Sequence, residues 1–349
     1  MPTDLSIIDG PYLNDILAQP QALEQTLAGL NVPNDLAQLA ARLQKGKFKR
    51  VVLTGMGGSF HALHPLHLDL IDAGFTSVMV ETSELIHYGA RFLDATTLLL
   101  AVSQSGKSAE TVRLLQLNRR RAAVVAVTNT ADSPLARRAD ATILTNAGAE
   151  FSVSCKTYVA SLMALRWLSE ILRGRDLRRT RRELSAAPPA VASYISNWHS
   201  HVQQFAQHLR AIRHLFLVGR GDSLAAVLTG ALIIKESDHF HAEGMSSAAF
   251  RHGPLEMSGP EMLVLAFAGD RQTRRLNERL VREIRQHQGQ AELVGEDATY
   301  APCLLPQTPT AVRPILEILP VQMVTLALAA VLKREPGRFS FCSKVTTTE

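Results

Sequence analysis

The sequence predicts an α/β protein of two similar domains, each a mainly parallel sheet flanked by helices. Two observations carry this. Short, continuous apolar runs alternate with helical stretches, as strands buried on both faces of a parallel sheet do. The pattern then recurs: Gly55, Gly57 and Ser59 stand 164 residues before Gly219, Gly221 and Ser223, and the same offset carries Ser83 onto Ser247. A duplication at that spacing means two copies of one α/β domain and not a solenoid. With 349 residues, 46% of them hydrophobic, the chain has the length for two domains and the apolar content to give each a core.

The elements follow in order. Residues 1–45 form an N-terminal helical segment, with Leu23, Leu27 and Leu30 at helical spacing. The first domain, 46–175, opens with strand 50–54, which runs into Gly55-Met56-Gly57-Gly58-Ser59. Helix 61–73, strand 78–80 and strand 97–102 follow, the last ending in Ser103-Gln104-Ser105-Gly106-Lys107-Ser108. Helix 110–121 and strands 123–127 and 141–144 complete it. An Arg-rich stretch, 173–182, leads into Ser185-Ala186-Ala187-Pro188-Pro189 and reads as a solvated linker entering a helix. The second domain, 190–333, repeats the scheme with strand 215–218, the turn Gly219-Arg220-Gly221-Asp222-Ser223, a helix from Leu224 to Glu236, strands 262–267 and 291–294, and a last helix 320–333. A Thr-rich tail, 334–349, closes the chain.

Composition narrows the function. The net charge is +5, and five positive charges sit in one run, Arg175, Arg178, Arg179, Arg181 and Arg182, so no nucleic-acid partner is expected. Cys155, Cys303 and Cys342 show no CxxC spacing, which points to a reducing compartment. The first residues lack a basic stretch followed by an apolar one, and the apolar run 318–332 is interrupted by Pro320 and Gln322. A soluble, cytoplasmic protein with no membrane partner is the expectation.

The glycine turn 55–59 follows a strand and opens a helix, a place where backbone N–H groups meet anions. A dinucleotide site with Glu81 as ribose acid is one reading, but Phe60 stands where a third glycine would fall; a plain strand-to-helix turn is the other. The loop 103–108 is the stronger signal. Three hydroxyls, an amide and backbone N–H groups converge at a strand's C-terminal end, which suits a phosphate monoester held without a metal. A capped turn would use the same residues. It lacks Walker spacing, and its counterpart in the second half, Phe267-Ala268-Gly269-Asp270, has no hydroxyl cluster, implying a division of labour. The second half offers Lys235-Glu236, His241-Ala242-Glu243 and Arg251-His252-Gly253-Pro254. Glu236, late on an apolar helix, is costly unless paired or used, and a carboxylate with an imidazole is what proton shuttling at a sugar carbonyl requires. A capping Glu and a surface His are the alternatives. His61, His64 and His67 drift around a helix without a metal set, so no metal is expected; Trp167 and Trp198 read as packing residues.

Taken together, these motifs resemble the sugar isomerase (SIS) domain family, in its double-SIS form: the isomerase half of glucosamine-6-phosphate synthase and the SIS-type glucosamine-6-phosphate deaminases. The resemblance runs from Asn14-Asp15-Ile16-Leu17-Ala18-Gln19-Pro20 through the serine loop, Thr145-Asn146-Ala147-Gly148-Ala149-Glu150, Gly219-Arg220-Gly221-Asp222, His241-Ala242-Glu243 and Arg251-His252-Gly253-Pro254 to Lys344-Val345-Thr346. It implies two tandem flavodoxin-like three-layer sandwiches and a small-molecule sugar phosphate as ligand, with no cofactor. Ser103, Gln104, Ser105 and Ser108 would hold the phosphate, and Ser59, Val153, Ser154 and Ser343 the sugar. Glu236 would move a proton between C1 and C2. His252 would open the ring from across a homodimer interface. Lys344 would form an imine with the open-chain carbonyl or polarise it. Two departures matter: no cysteine precedes Cys155 to serve as a glutaminase nucleophile, and Ile233 replaces a family lysine one turn before the catalytic glutamate. Isomerisation with ammonia release is therefore favoured over amino transfer. A fructosamine-6-phosphate deglycase, a non-catalytic sugar-phosphate regulator and, more remotely, a dinucleotide oxidoreductase are the rivals.

Overall fold

A computed structural model describes residues 3–341 and 343–346. The chain forms two compact units. One comprises residues 21–150, 156–185 and 341–349; the other comprises 1–20, 151–155 and 186–340.

The first of these units holds a five-stranded, all-parallel sheet of order β2-β1-β3-β4-β5. Its strands are β1 (Arg50–Thr54), β2 (Ser77–Met79), β3 (Thr97–Val102), β4 (Ala123–Thr128) and β5 (Ala141–Leu144). In register, Val52 pairs with both Val78 and Leu99, and Leu100 with Val125. All six positions of β3 are buried, so apolar continuity along that strand follows from helices on both faces. Val52, Leu99, Ala101, Val124 and Ala126 pack against Leu85, Leu114 and Leu135 on one face.

Two helices depart from expectation. In place of one helix over 61–73 there are two, Gly57–His61 and His64–Asp72, with Pro65 in the first turn of the second. The helix after β3, Ala109–Asn118, stops early because Arg119 and Arg120 adopt φ of 45° and 60°. The Arg-rich run is solvated only in part. Arg175, Arg178, Arg179 and Arg182 are exposed, but the Arg181 guanidinium lies 5.0 Å from the Trp167 ring centroid and donates to the carbonyls of Leu27 and Leu30. Trp167 is buried, whereas Trp198 is half-exposed.

The other unit holds a four-stranded parallel sheet of order β7-β6-β8-β9: β6 (His214–Gly219), β7 (Ala242–Ser246), β8 (Met262–Phe267) and β9 (Gln290–Val294). Phe216, Val218, Phe250, Val264 and Ala266 form its core with Leu280 and Ile284. Strand β7 was not expected, because Ala-Glu-Gly-Met-Ser has neither apolar continuity nor alternation. It is an edge strand, and Gly244 is required there: a Cβ would lie 2.5 Å from the Val227 carbonyl oxygen of the crossing helix. The last helix falls where the sequence places it, within a residue at either end, but the apolar stretch it belongs to is not broken. Pro320 sits in the first turn of helix Leu319–Leu332 and does not interrupt it. The helical run 313–332 is long and apolar enough to cross a membrane, yet it is mostly buried as a core element of this unit.

Candidate functional site

In each sheet the first strand has a neighbour on both sides, which creates a switch point where open α/β sheets bind ligands. In the five-stranded sheet that point lies between the C-terminal ends of β1 and β3. The two ends approach closely: a Cβ on Gly55 would lie 2.9 Å from the Val102 carbonyl oxygen. Ser59, half-buried on helix Gly57–His61, stands on one side and the serine loop on the other.

The serine loop is shaped by its own hydroxyls. Ser103 Oγ accepts from the Gly106 N–H at 3.1 Å, Ser105 Oγ from Lys107 N–H at 3.3 Å, and Ser108 Oγ from Thr111 N–H at 3.4 Å, capping helix Ala109–Asn118. The Gln104 carbonyl accepts from Asn129 N–H at 3.0 Å. Gly106, at φ 61°, fits because a Cβ would collide with Ser133. Used as an acceptor by a backbone N–H, a serine hydroxyl keeps its proton to donate. The half-buried Ser103 and Ser105 thus offer O–H donors, as a ligand that presents only acceptor oxygens requires. The Ser108 hydroxyl also pairs with that of Thr111, 2.8 Å away.

Two further segments meet at this edge of the sheet. The loop 145–150 is fixed by Asn129, whose Oδ1 accepts from Thr145 Oγ1 at 2.9 Å and Ala147 N–H at 2.8 Å, and whose Nδ2 donates to the Gly148 carbonyl. The tail docks here: Ala109 N–H donates to the Thr346 carbonyl at 3.1 Å, and Lys344 Nζ donates to Glu150 Oε2 at 2.9 Å. Ser343 is exposed and donates to the Val345 carbonyl within the tail. Cys342 and residues 347–349 lie outside the described residues. Glu150 is a residue to which sequence reasoning gave no role, although it ends one of the quoted motifs.

Val153, buried, and Ser154, half-buried, fall in the unit of the four-stranded sheet. Glu236 is half-buried near the end of helix Leu224–Asp238. Burial pushes its carboxyl up to about 7, opposed by the neighbouring Lys235. Ile233, three residues earlier, is fully buried. His252 is exposed at the end of helix Ser247–Arg251, where Gly253 at φ 153° turns the chain into Pro254.

Glu236 and His252 are not brought together within this unit. The helix carrying Glu236 runs from the end of β6 back to the start of β7, and His252 follows the far end of β7, five residues and about 16 Å of strand away. His241 and Glu243 pair at 3.5 Å, with both side chains about half exposed.

The switch point of the four-stranded sheet holds different chemistry. Ser223, the counterpart of Ser59 in the repeat, donates to Glu317 Oε1 at 2.8 Å. Glu317 is 1% exposed, and burial raises its carboxyl to about 7 against the influence of Arg313 and Ser223. Asp270, where the first unit has its serine loop, accepts from Thr273 N–H and Oγ1. The chain's own carboxylates thus occupy the donors of this crevice, which gives the division of labour a physical form. Among the described residues, no group of three or more His, Cys, Asp or Glu is placed to hold a metal ion.

Comparison with known proteins agrees with this architecture. The SIS domain family model matches residues 46–170 and 208–294. A glutamine–fructose-6-phosphate aminotransferase (isomerizing) of Pyrococcus horikoshii is 31% identical over 348 residues, covering 97% of this chain and 57% of that protein. The chain therefore spans somewhat over half the length of this curated relative. Among solved structures, the C-terminal domain of glucosamine-fructose-6-phosphate aminotransferase from Francisella tularensis superimposes with a TM-score of 0.83 at 20% identity, covering 95% of this chain and 98% of that one. Glucosamine-6-phosphate deaminase from Thermotoga maritima gives 0.77 at 16% identity, covering 97% and 100%. At these identities the two structures speak for the fold alone.

Proposed function

The chain belongs to the SIS domain family, and we propose that it is a phosphosugar isomerase acting on an amino-sugar phosphate, with ketose–aldose interconversion coupled to ammonia release. The observation that carries this is the self-capped serine loop at the β1/β3 switch point, whose hydroxyl protons suit the acceptor oxygens of a phosphate monoester. The names of relatives that act on fructose 6-phosphate or glucosamine 6-phosphate support the substrate class.

In this proposal Ser103, Gln104, Ser105 and Ser108 grip the phosphate, while Ser59, Val153, Ser154 and Ser343 line the sugar. His252 protonates the ring oxygen as the ring opens. Glu236 then takes the proton from one of C1 and C2 and returns it to the other through a cis-enolamine or enediol; with the amino sugar the proton moves from C2 to C1, and water adds to the resulting C2 imine as its C–N bond breaks and ammonia leaves. A carboxyl near 7 suits that shuttle, because both of its forms are populated at neutral pH. Lys344 faces the open-chain carbonyl. The placement of Glu236 and His252 at opposite ends of β7 favours a homodimer in which one copy supplies His252 to the other's site.

The test is a panel of phosphorylated hexoses, hexosamines and fructosamines scored for ammonia, amine and ketose. Ammonia with fructose 6-phosphate from glucosamine 6-phosphate is the expected result. Release of an amino acid from a fructosamine would point to a deglycase, and binding without turnover to a regulator.

A further inference from the structure

Lys344 reaches the edge of the five-stranded sheet on a tail segment whose described residues, 343–346, belong to no helix or strand. Its amine must therefore be fixed by something else. Resting on the functional reading above, we propose that Glu150 is the positioning residue that holds Lys344 for the reaction.

Glu150 has partners of its own besides the lysine. The Glu150 side chain is 1% exposed, and its Oε1 accepts from Thr157 N–H at 2.9 Å and its Oε2 from Thr157 Oγ1 at 2.7 Å, in the first turn of helix Lys156–Leu172. Its loop is tied to Asn129 by three hydrogen bonds. Lys344 Nζ then donates both to Oε2 at 2.9 Å and to the Glu150 backbone carbonyl at 2.8 Å. Two acceptors on one rigid residue fix the position and direction of a long side chain that would otherwise sample many rotamers. The Thr346 carbonyl, held by Ala109 N–H, tethers the tail two residues further on, beside Ser108 of the serine loop. Lysine and hydroxyl loop are thereby held to the same edge of the same sheet.

A purely architectural role is the competing explanation, since a carboxylate accepting from Thr157 N–H also caps a helix. Capping predicts lost stability with Lys344 undisturbed; positioning predicts a lysine set loose. The experiment compares the full-length wild type with Glu150→Gln, which keeps the shape and one acceptor oxygen for Thr157 N–H but loses the charge and the second oxygen. Acetylation by an N-hydroxysuccinimide ester is read by mass spectrometry at Lys344 against the exposed Lys45 and Lys47. Lys344 should react about tenfold faster in the variant, the effect of losing one charge-assisted hydrogen bond. On the sugar phosphate that the wild type processes, kcat should fall about 10–100-fold with KM within about twofold. Glu150→Gln should cost nothing further in a Lys344→Met background.

Unchanged acetylation, unchanged kcat, or full additivity with Lys344→Met overturns the proposal. If Glu150→Gln fails to fold, Thr157→Val serves: loss of its hydroxyl should loosen Lys344 in the same sense, and unchanged acetylation there is equally fatal. Should the wild type turn over no sugar phosphate, the functional reading fails, and acetylation alone decides whether Glu150 anchors the lysine.

Discussion

Replacing Glu317 by Gln should stabilise the unit of the four-stranded sheet above neutral pH and change it little below pH 5. Glu317 is fully buried with one oxygen bonded by Ser223, and burial raises its carboxyl from an ordinary 4.5 to about 7 despite Arg313. The unfolded chain loses this proton near 4.5 and the native state near 7. Between these values the native state binds more protons, so the contribution is fully present below pH 4.5 and is lost as pH rises to about 7. At about 1.36 kcal/mol per pH unit, the loss is on the order of 3 kcal/mol. Gln mimics the neutral carboxyl and carries no such dependence. The assay is urea unfolding between pH 4.5 and 8 in a Trp167→Phe background. Trp198 is then the sole indole and reports its own unit. Glu236 and Asp238, also pushed up by burial, are common to both proteins and cancel in the difference. A stability difference that stays flat across this range would refute a buried, proton-binding Glu317.

Three other outcomes follow from the site. Glu236→Gln should lower kcat by about 10²–10⁴-fold while leaving sugar-phosphate binding intact; in the wild type, kcat/KM should rise with pH through about 7 as the base loses its proton, a limb the variant lacks. Ser103→Ala or Ser105→Ala should each raise KM for the phosphorylated sugar about five- to tenfold, the worth of one hydrogen bond, and leave a sugar lacking phosphate unaffected. Mixing inactive Glu236→Gln and His252→Asn chains, after dissociation and reassociation, should restore activity through sites completed across subunits; no recovery would place both residues in one copy.

What the sequence disclosed followed the physics of each segment. Strand β3 was legible because all six residues are buried and the five from Leu98 to Val102 are apolar. The serine loop was legible because its donors are contiguous and end a strand. Strand β7 was hidden, because an edge strand with Gly244 carries no periodic signal; only the three-dimensional approach of Val227 explains its glycine. The role of Glu150 was hidden for another reason: its partner Lys344 lies 194 residues away, and no local pattern encodes that pairing. Glu317 lies in the apolar run Pro314-Ile315-Leu316-Glu317-Ile318-Leu319-Pro320, where Arg313 one turn earlier and the Ser223 hydroxyl across the fold together show why a carboxyl is tolerated. Pro320 was legible as the start of the last helix, because proline is tolerated in a helix's first turn.

The most direct test of the central claim is proton exchange at the sugar itself. Fructose 6-phosphate incubated with the protein in D2O, followed by proton NMR, should lose a C1 hydrogen to solvent deuterium, and Glu236→Gln should suppress that loss while the sugar still binds. Retention of both C1 hydrogens with the wild-type protein, across the phosphorylated ketoses it binds, would contradict the assignment of proton transfer to this fold.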